Sequence, residues 1–221
     1  MSRCIGAVVA ISPADVPRLE RQSRPPDAVL AGPDGLERAL GEGADWVWLL
    51  ARGADPRPDA LERLVEAHAP AGDAPASLLA GRVVDPDGTT VASEVPAGDQ
   101  RNPQLVRLVG RRMLPIRHTT FANCLVARGC FTRHGVPDER RYGPYAAVEW
   151  SARALRVETG YFIPSSVISV DPRPSRRDTL AEIPALVRML RSGTWTRGEA
   201  LVSIGRARAV LLRPTTIRRR G

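Results

Sequence analysis

Short apolar runs alternate with segments of helical periodicity over the first hundred residues, and this alternation restricts the chain to few fold classes. The apolar runs favour strands, because each is short and bounded by proline, glycine or charged residues. Such alternation is typical of an α/β fold with a mixed, mainly parallel sheet flanked by helices, where ligands bind at the carboxyl ends of strands. Strands are predicted at residues 5–11, 27–30 and 45–50, and helices at 14–22, 33–40 and 58–68.

The middle of the chain is predicted to continue the sheet with a hairpin and further strands. Two apolar segments flank the turn sequence DPDG at residues 85–88, which favours a hairpin. An arginine-rich helix is predicted at residues 104–114. Beyond it we expect strands at residues 119–127 and 161–170, and helices at residues 129–134 and 148–155.

The C-terminal part changes character after residue 170. Residues 171–178 read DPRPSRRD, a proline- and arginine-rich linker, and two amphipathic helices are predicted between residues 179 and 212. We therefore expect a main domain at residues 1–170 and a helical appendage at residues 171–221. No run of about 18 apolar residues is present, and Pro13 ends the first apolar run, so a cytoplasmic protein is expected.

The charge of the chain favours anionic partners. All 32 basic residues are arginine, and the formal net charge is +8. A positive surface attracts nucleotide sugars, anionic lipid or nucleic acid. Aromatic residues make up 5% of the chain and do not alternate with basic ones as in surfaces that stack bases, which argues against nucleic acid.

Three cysteines are scattered along the chain at Cys4, Cys124 and Cys130. No pair has the CxxC spacing, so the sequence supports neither a zinc site nor a disulfide framework. We expect free thiols.

Three segments of the chain each contain a recognisable motif. They are GADWVWLL at residues 43–50 with PRPDALERL at 56–64, residues 121–131 with GVPD at 135–138, and VEWSARA at 148–154 with GYFIP at 160–164. In order and spacing they resemble the family-2 glycosyltransferases, including the bacterial galactofuranosyl- and rhamnosyltransferase branches. The resemblance spans about residues 44–170. It implies the GT-A fold and a nucleotide-diphosphate sugar as ligand.

The resemblance also implies a metal-dependent reaction, and here the sequence departs from the family. In the family, aspartates after a strand hold a divalent metal that neutralises the leaving diphosphate, and a carboxylate takes the acceptor's proton. This chain has ARGA at residues 51–54, Ala146 and Ala147 in place of paired aspartates, and Val170 where a histidine is common. Alanine and valine cannot bind a hard cation, so we expect no metal cofactor.

Three residues are candidates for binding the nucleotide sugar. Arg52 stands in place of the metal cluster, where its guanidinium could bind the diphosphate, or it is a solvated loop residue. Asp55 is either a displaced ligand or a turn residue before proline. Asp34 either contacts the ribose or uracil or belongs to a Pro-Asp-Gly turn.

The acceptor side offers another set of candidates. Glu149 is the candidate base, with an ion pair to Arg153 four residues on as the alternative. Trp150 and His118 are candidate acceptor-binding residues. The C-terminal arginines suit an anionic membrane surface and a lipid-linked acceptor, although a solvated arginine face is the more frequent explanation.

Three functions follow from these features. The first is a metal-independent glycosyltransferase. The second is a catalytically inactive relative that binds a nucleotide sugar or serves as a scaffold for a protein partner. The third is a module that binds polyanions through its basic surface alone.

Overall fold

The computed structural model describes most of the predicted main domain, in several stretches. Arg52, residues 104–112 of the predicted arginine-rich helix, and the predicted appendage at residues 171–221 lie outside the described residues. The division at residue 170 therefore stays a prediction. The described stretches are residues 4–8, 19–32, 34–51, 53–68, 76–91, 97–98 and 113–170.

Three parallel strands form one side of the sheet, as the alternation of the sequence predicts. β1 (Cys4–Val8) lies between β2 (Val29–Ala31) and β3 (Trp46–Leu50) and pairs with both in parallel. All five side chains of β3 are buried. Helix α1 (Gly35–Gly41) connects β2 to β3 and buries Leu36 and Ala39.

The remainder of the sheet is mixed, which confirms the predicted mixed sheet, but antiparallel pairs outnumber parallel pairs among the described strands, so the predicted predominance of parallel pairing is wrong. β8 (Asn123–Ala127) is inserted antiparallel between β3 and β5 (Leu78–Val84), and β5 pairs in parallel with β9 (Gly160–Ser169). Antiparallel neighbours need no helical crossover between them. The apolar pattern of a strand does not encode its direction, which is why the sequence did not reveal this arrangement.

Three further strands of the described residues belong to the sheet. β4 (Asp55–Pro56) and β7 (Leu114–His118) both pair antiparallel with β9, and β6 (Ala97–Gly98) pairs antiparallel with β7. The order along the sheet is β2-β1-β3-β8-β5-β9-β7-β6. The predicted helix at residues 104–114 is wrong at its last residue, because Leu114 begins strand β7.

The turn after β5 forms as predicted. The backbone N–H of Asp85 donates to the carbonyl of Thr89 at 2.8 Å, and the N–H of Gly88 donates to the carbonyl of Asp85 at 2.9 Å. Val84 and Thr90 form an antiparallel bridge. The second strand of this hairpin was predicted at residues 89–95, and its last four residues, 92–95, lie outside the described residues.

Helices cover both faces of the sheet, which confirms the predicted α/β class. On one face, α2 (Ala60–His68) packs Leu61 and Leu64 against side chains that include Trp48. The other face carries α3 (Arg128–His134), α4 (Glu139–Tyr142), the 3-10 turn Gly143–Tyr145 and α5 (Ala146–Ala154). Within the part of the chain that the structure describes, no helix is long and apolar enough to cross a membrane.

A buried polar network fastens α2 to the sheet. The indole Nε1 of Trp48 donates to Asn123 Oδ1 at 3.0 Å, and Asn123 Nδ2 donates to Ser166 Oγ at 3.2 Å. Ser166 Oγ donates to the carbonyl of Ala60, the first residue of α2, at 2.9 Å. A β-carbon at Gly81 would lie 1.9 Å from Asn123 Nδ2, so glycine is required beside this network.

Candidate functional site

The carboxyl ends of five strands lie at one edge of the sheet, which we call the carboxyl edge. β1, β2 and β3 are parallel; β8 is antiparallel to both β3 and β5; and β5 is parallel to β9. These five strands therefore run in the same direction. In α/β folds this is the edge at which ligands bind.

The connection after β3 follows the carboxyl edge. It leaves β3 at Leu50 and reaches β4, where Asp55 pairs with Ser169 at the end of β9. Arg52, the predicted substitute for a metal ion, belongs to this connection but is outside the described residues. The structure thus places Asp55 at the edge where the sequence predicts the nucleotide sugar to bind.

Asp34 follows the carboxyl end of β2 and is exposed. It precedes α1, and its side chain makes no capping hydrogen bond to the helix. The N–H of Gly35 donates to the carbonyl of Gly32 at 3.1 Å, and Gly32 has a φ of 113°, so the main chain forms the turn that was the alternative interpretation. The carboxylate remains exposed at the carboxyl edge.

Asp55 lines a cleft of about 360 Å³ beside β4. We call it the arginine cleft, because Arg21 and Arg57 also line it and are exposed. Val84 and Val167 contribute buried apolar surface to the same cleft. Sequence reasoning did not single out the two arginines, although Arg57 lies inside the PRPDALERL motif.

Hydrogen bonds hold the wall of the arginine cleft in place. The buried Gln22 donates through Nε2 to the carbonyl of Arg57 at 2.8 Å and accepts from the N–H of Leu61 at 3.3 Å. The N–H of Arg57 donates to the carbonyl of Val167 in β9 at 3.0 Å. The backbone of Arg57 is therefore fixed on both sides, and its position at the cleft does not depend on the charged side chain.

Glu149 lies in the first turn of α5 and is 5% exposed. Its Oε1 accepts from Arg153 Nε at 3.2 Å, the ion pair that the spacing of four residues predicts as the alternative to a catalytic base. Arg153 also donates through Nη1 to the carbonyl of His134 at 2.9 Å. Glu149 is thus held from one side by a half-exposed arginine.

Trp150 lies in the core beside α3. Its ring stacks on Phe131 with a centroid distance of 4.8 Å and meets Phe121 edge-on at 5.4 Å. The indole Nε1 donates to the carbonyl of Gly135 at 2.6 Å. The residue is fully buried, so in this structure its ring presents no surface to an acceptor.

His118 is the last residue of β7, a strand that contacts α5. The following residue, Thr119, donates its N–H to Ser151 Oγ at 3.0 Å and accepts from the same hydroxyl at 2.8 Å. These bonds fasten the end of β7 to α5. The structure therefore gathers the acceptor-side candidates around α5 and places Asp34 and Asp55 at the carboxyl edge.

Comparison with solved structures finds a glycosyltransferase with a similar fold. GalNAc-T7, a GT-A glycosyltransferase crystallised with UDP, GalNAc and Mn²⁺, gives a TM-score of 0.53 at 10% identity. The likeness covers 77% of this chain and 44% of that one, so the chain spans less than half the length of that structure. At this identity the likeness concerns the fold alone.

A second structure is less similar. The A197 protein of STIV gives a TM-score of 0.44 at 9% identity, covering 73% of this chain and 82% of that one. No protein-family model matches the chain, and a search of curated proteins finds no match.

Proposed function

We propose that this chain is a family-2 type glycosyltransferase that binds a nucleotide-diphosphate sugar at the carboxyl edge and transfers the sugar without a metal ion. The observation that carries the proposal is the arginine cleft. It lies at the edge where α/β folds bind ligands, and the fold is similar to that of a glycosyltransferase crystallised with UDP.

Arginine replaces the metal ion in this proposal. Negative charge develops on the diphosphate as the sugar leaves, and a guanidinium offsets such charge while donating two hydrogen bonds. Arg21 and Arg57 line the cleft, and Arg52 stands three positions before Asp55 in the sequence. Asp34 and Asp55 would accept hydrogen bonds from hydroxyl groups of the nucleoside and the sugar.

The acceptor would be bound on the side of α5. Glu149 would take the proton of the acceptor hydroxyl, which requires that hydroxyl to reach a carboxylate now paired with Arg153. In this proposal His118 contacts the acceptor, while Trp150 supports that wall of the site from the core. A lipid-linked acceptor at an anionic membrane surface fits the basic charge of the chain.

A thermal-shift screen tests the donor. The chain is heated with UDP, GDP, TDP and their common sugars, with and without Mn²⁺ or Mg²⁺ and with a chelator. A ligand at about 100 times its dissociation constant adds about 2.7 kcal/mol of stability, which is a shift of several degrees. We expect one nucleotide sugar to raise the melting temperature equally with metal and with chelator.

Two variants test whether the nucleotide sugar binds in the arginine cleft. Arg57→Ala is expected to remove the shift, whereas Arg63→Ala should retain it, because Arg63 pairs with Asp59 and Glu66 on the outer surface of α2. No shift with any nucleotide would overturn the proposal. A shift without release of nucleoside diphosphate in the presence of acceptors would instead indicate the catalytically inactive relative.

A further inference from the structure

A group of metal-ligating side chains lies outside the candidate site, where α3 meets the turn before β9. Cys130 and His134 are four residues apart on α3 and so share one face of the helix. Glu158 reaches them from the turn. One ligand atom from each residue lies within 4.8 Å of the other two, and His134 Nε2 is 3.0 Å from Glu158 Oε1.

We propose that Cys130, His134 and Glu158 bind a divalent transition-metal ion of the zinc class, with water as the fourth ligand. Sulfur, imidazole nitrogen and carboxylate oxygen are the donors that zinc takes in proteins, and this mixture excludes Mg²⁺ and Ca²⁺. The site is independent of the nucleotide-sugar proposal, since it shares no residue with the carboxyl edge.

The spacing of the three ligands suits a tetrahedral ion. With zinc–sulfur bonds of about 2.3 Å and zinc–nitrogen bonds of about 2.0 Å, neighbouring ligand atoms lie roughly 3.2 to 3.6 Å apart. The histidine–glutamate pair is already near that separation. The thiol sulfur lies within 4.8 Å of both other ligand atoms, so a side-chain adjustment of all three residues brings them to one ion.

The environment of Glu158 keeps its carboxylate ionised, which is the form that binds metal. Hydrogen bonds from Arg133, Ser77 and His134, with that from Arg133 the largest cause, lower the pKa of Glu158 to about 2. Arg133 Nε and Ser77 Oγ each lie 2.6 Å from the carboxylate. The Arg133 side chain is 56% exposed, so it can turn into solvent when an ion takes its place.

Metal binding requires Cys130 to lose its thiol proton. The residue is fully buried, and burial raises the pKa of its thiol to about 12. The ion must therefore displace the thiol proton, which leaves to solvent as the sulfur–metal bond forms. His134 and Glu158 are partly exposed and open the route by which the ion enters.

The bound ion would join α3 to the turn before β9. Ser77 connects that turn to the start of β5. His134 also accepts through its carbonyl from Arg153, the partner of Glu149. The ion would thus hold in place the C-terminal end of α3, where the His134 carbonyl accepts the hydrogen bond from Arg153 of α5.

Cobalt(II) spectroscopy tests the site on the full chain, reduced and stripped of metal. We expect one equivalent of Co²⁺ to give a thiolate-to-cobalt charge-transfer band and the visible bands of tetrahedral cobalt, both removed by Zn²⁺ and unaffected by Mg²⁺. Cys130→Ser should abolish the charge-transfer band, and His134→Gln should weaken cobalt binding at least about tenfold.

Matched controls come from residues of the same types elsewhere. Cys124→Ser changes the other described buried cysteine, and His68→Gln changes a histidine of α2; both should bind cobalt as the wild type does. A wild type without the charge-transfer band, or a band that persists in Cys130→Ser, would overturn the proposal. If Cys130→Ser fails to fold, unchanged cobalt affinity in the partly exposed Glu158→Gln and His134→Gln variants would overturn it equally.

The result is separable from the donor screen. If the donor proposal fails while the cobalt bands appear, the metal site stands alone. If the bands are absent while a nucleotide sugar raises the melting temperature, only the metal site is rejected.

Discussion

Asn123 shows how much of this fold depends on single polar side chains. Its amide accepts from Trp48 and donates to Ser166, all within the core between the sheet and α2. A buried amide without partners costs about 1 to 3 kcal/mol, so the network is stable only when every member is satisfied. Gly81 makes room for that amide because it lacks a β-carbon.

We expect Gly81→Ala to destabilise the protein by about 1 to 3 kcal/mol, because the added methyl group displaces the Asn123 amide from its partners. Urea unfolding followed by fluorescence measures the change. Gly41→Ala is the control, since nothing lies within 4 Å of a β-carbon there and alanine favours the helix. Equal midpoints for Gly81→Ala and the wild type would show that Asn123 is not held as described.

Some residue contacts follow from sequence spacing and others do not. The Glu149–Arg153 pair was predicted as an alternative because a separation of four residues on a helix is sufficient to bring the charges together. The burial of Trp150 depends on Phe121 and Phe131, whose positions are set by other elements. The apolar character of Trp150 was visible in the sequence, but which surface would cover it was not.

At the scale of elements, Glu158 links three pieces of secondary structure through one carboxylate. It accepts from Arg133 and His134 of α3 and from Ser77 before β5, while itself lying in the turn that leads to β9. Its folded pKa of about 2 lies below the ordinary value of 4.5. Its contribution to stability is therefore complete above the ordinary pKa and is lost as the pH falls from about 4.5 towards 2.

We expect Glu158→Gln, studied with a chelator present, to lower the melting temperature near neutral pH. The difference from the wild type should shrink as the pH falls through 4.5 towards 2, because the wild-type carboxylate is increasingly protonated over this range and becomes neutral below its folded pKa of about 2. Glu66→Gln is the control, because Glu66 pairs with Arg63 on the surface and such pairs contribute little. A difference in melting temperature that is constant across this range would contradict the ion-pair account.

Strongly periodic elements were predictable, and strand order was not. Apolar runs predict β3 and β9, and an apolar helical face predicts α2. These signals lie within each segment and can be recognised without knowing what it packs against. β7 was missed because Pro115 interrupts its short apolar pattern, and proline argues against a strand. The position of β8 between β3 and β5 depends on which strands pair with each other, and the sequence of a single strand does not determine this.

At the scale of the whole molecule, positive charge reaches the carboxyl edge from separate parts of the chain. Arg21 precedes β2 and Arg57 precedes α2, and the sheet brings both to one cleft. Arg52 was predicted from the sequence because it stands where the family has its metal-binding aspartates. Nothing in the sequence indicated Arg21, since only folding places that residue beside Asp55.

We expect Arg52→Ala to weaken binding of a nucleoside diphosphate at least about tenfold, because a hydrogen bond between charged groups contributes about 1.5 to 3 kcal/mol. The melting temperature of the free protein should not change. Titration calorimetry at fixed salt measures the affinity, with Arg63→Ala as the control that retains it. An unchanged affinity for Arg52→Ala would contradict its role as the substitute for a metal ion.

The place of β8 in the sheet also governs how the chain can fold during synthesis. β3 finishes at Leu50, but the strand that covers its side does not leave the ribosome until Ala127 has been made. Until then a fully apolar strand presents open backbone groups along one side, which is the geometry that invites pairing with other chains. We therefore expect this strand to be the segment most exposed to pairing with other chains between the synthesis of Leu50 and that of Asn123.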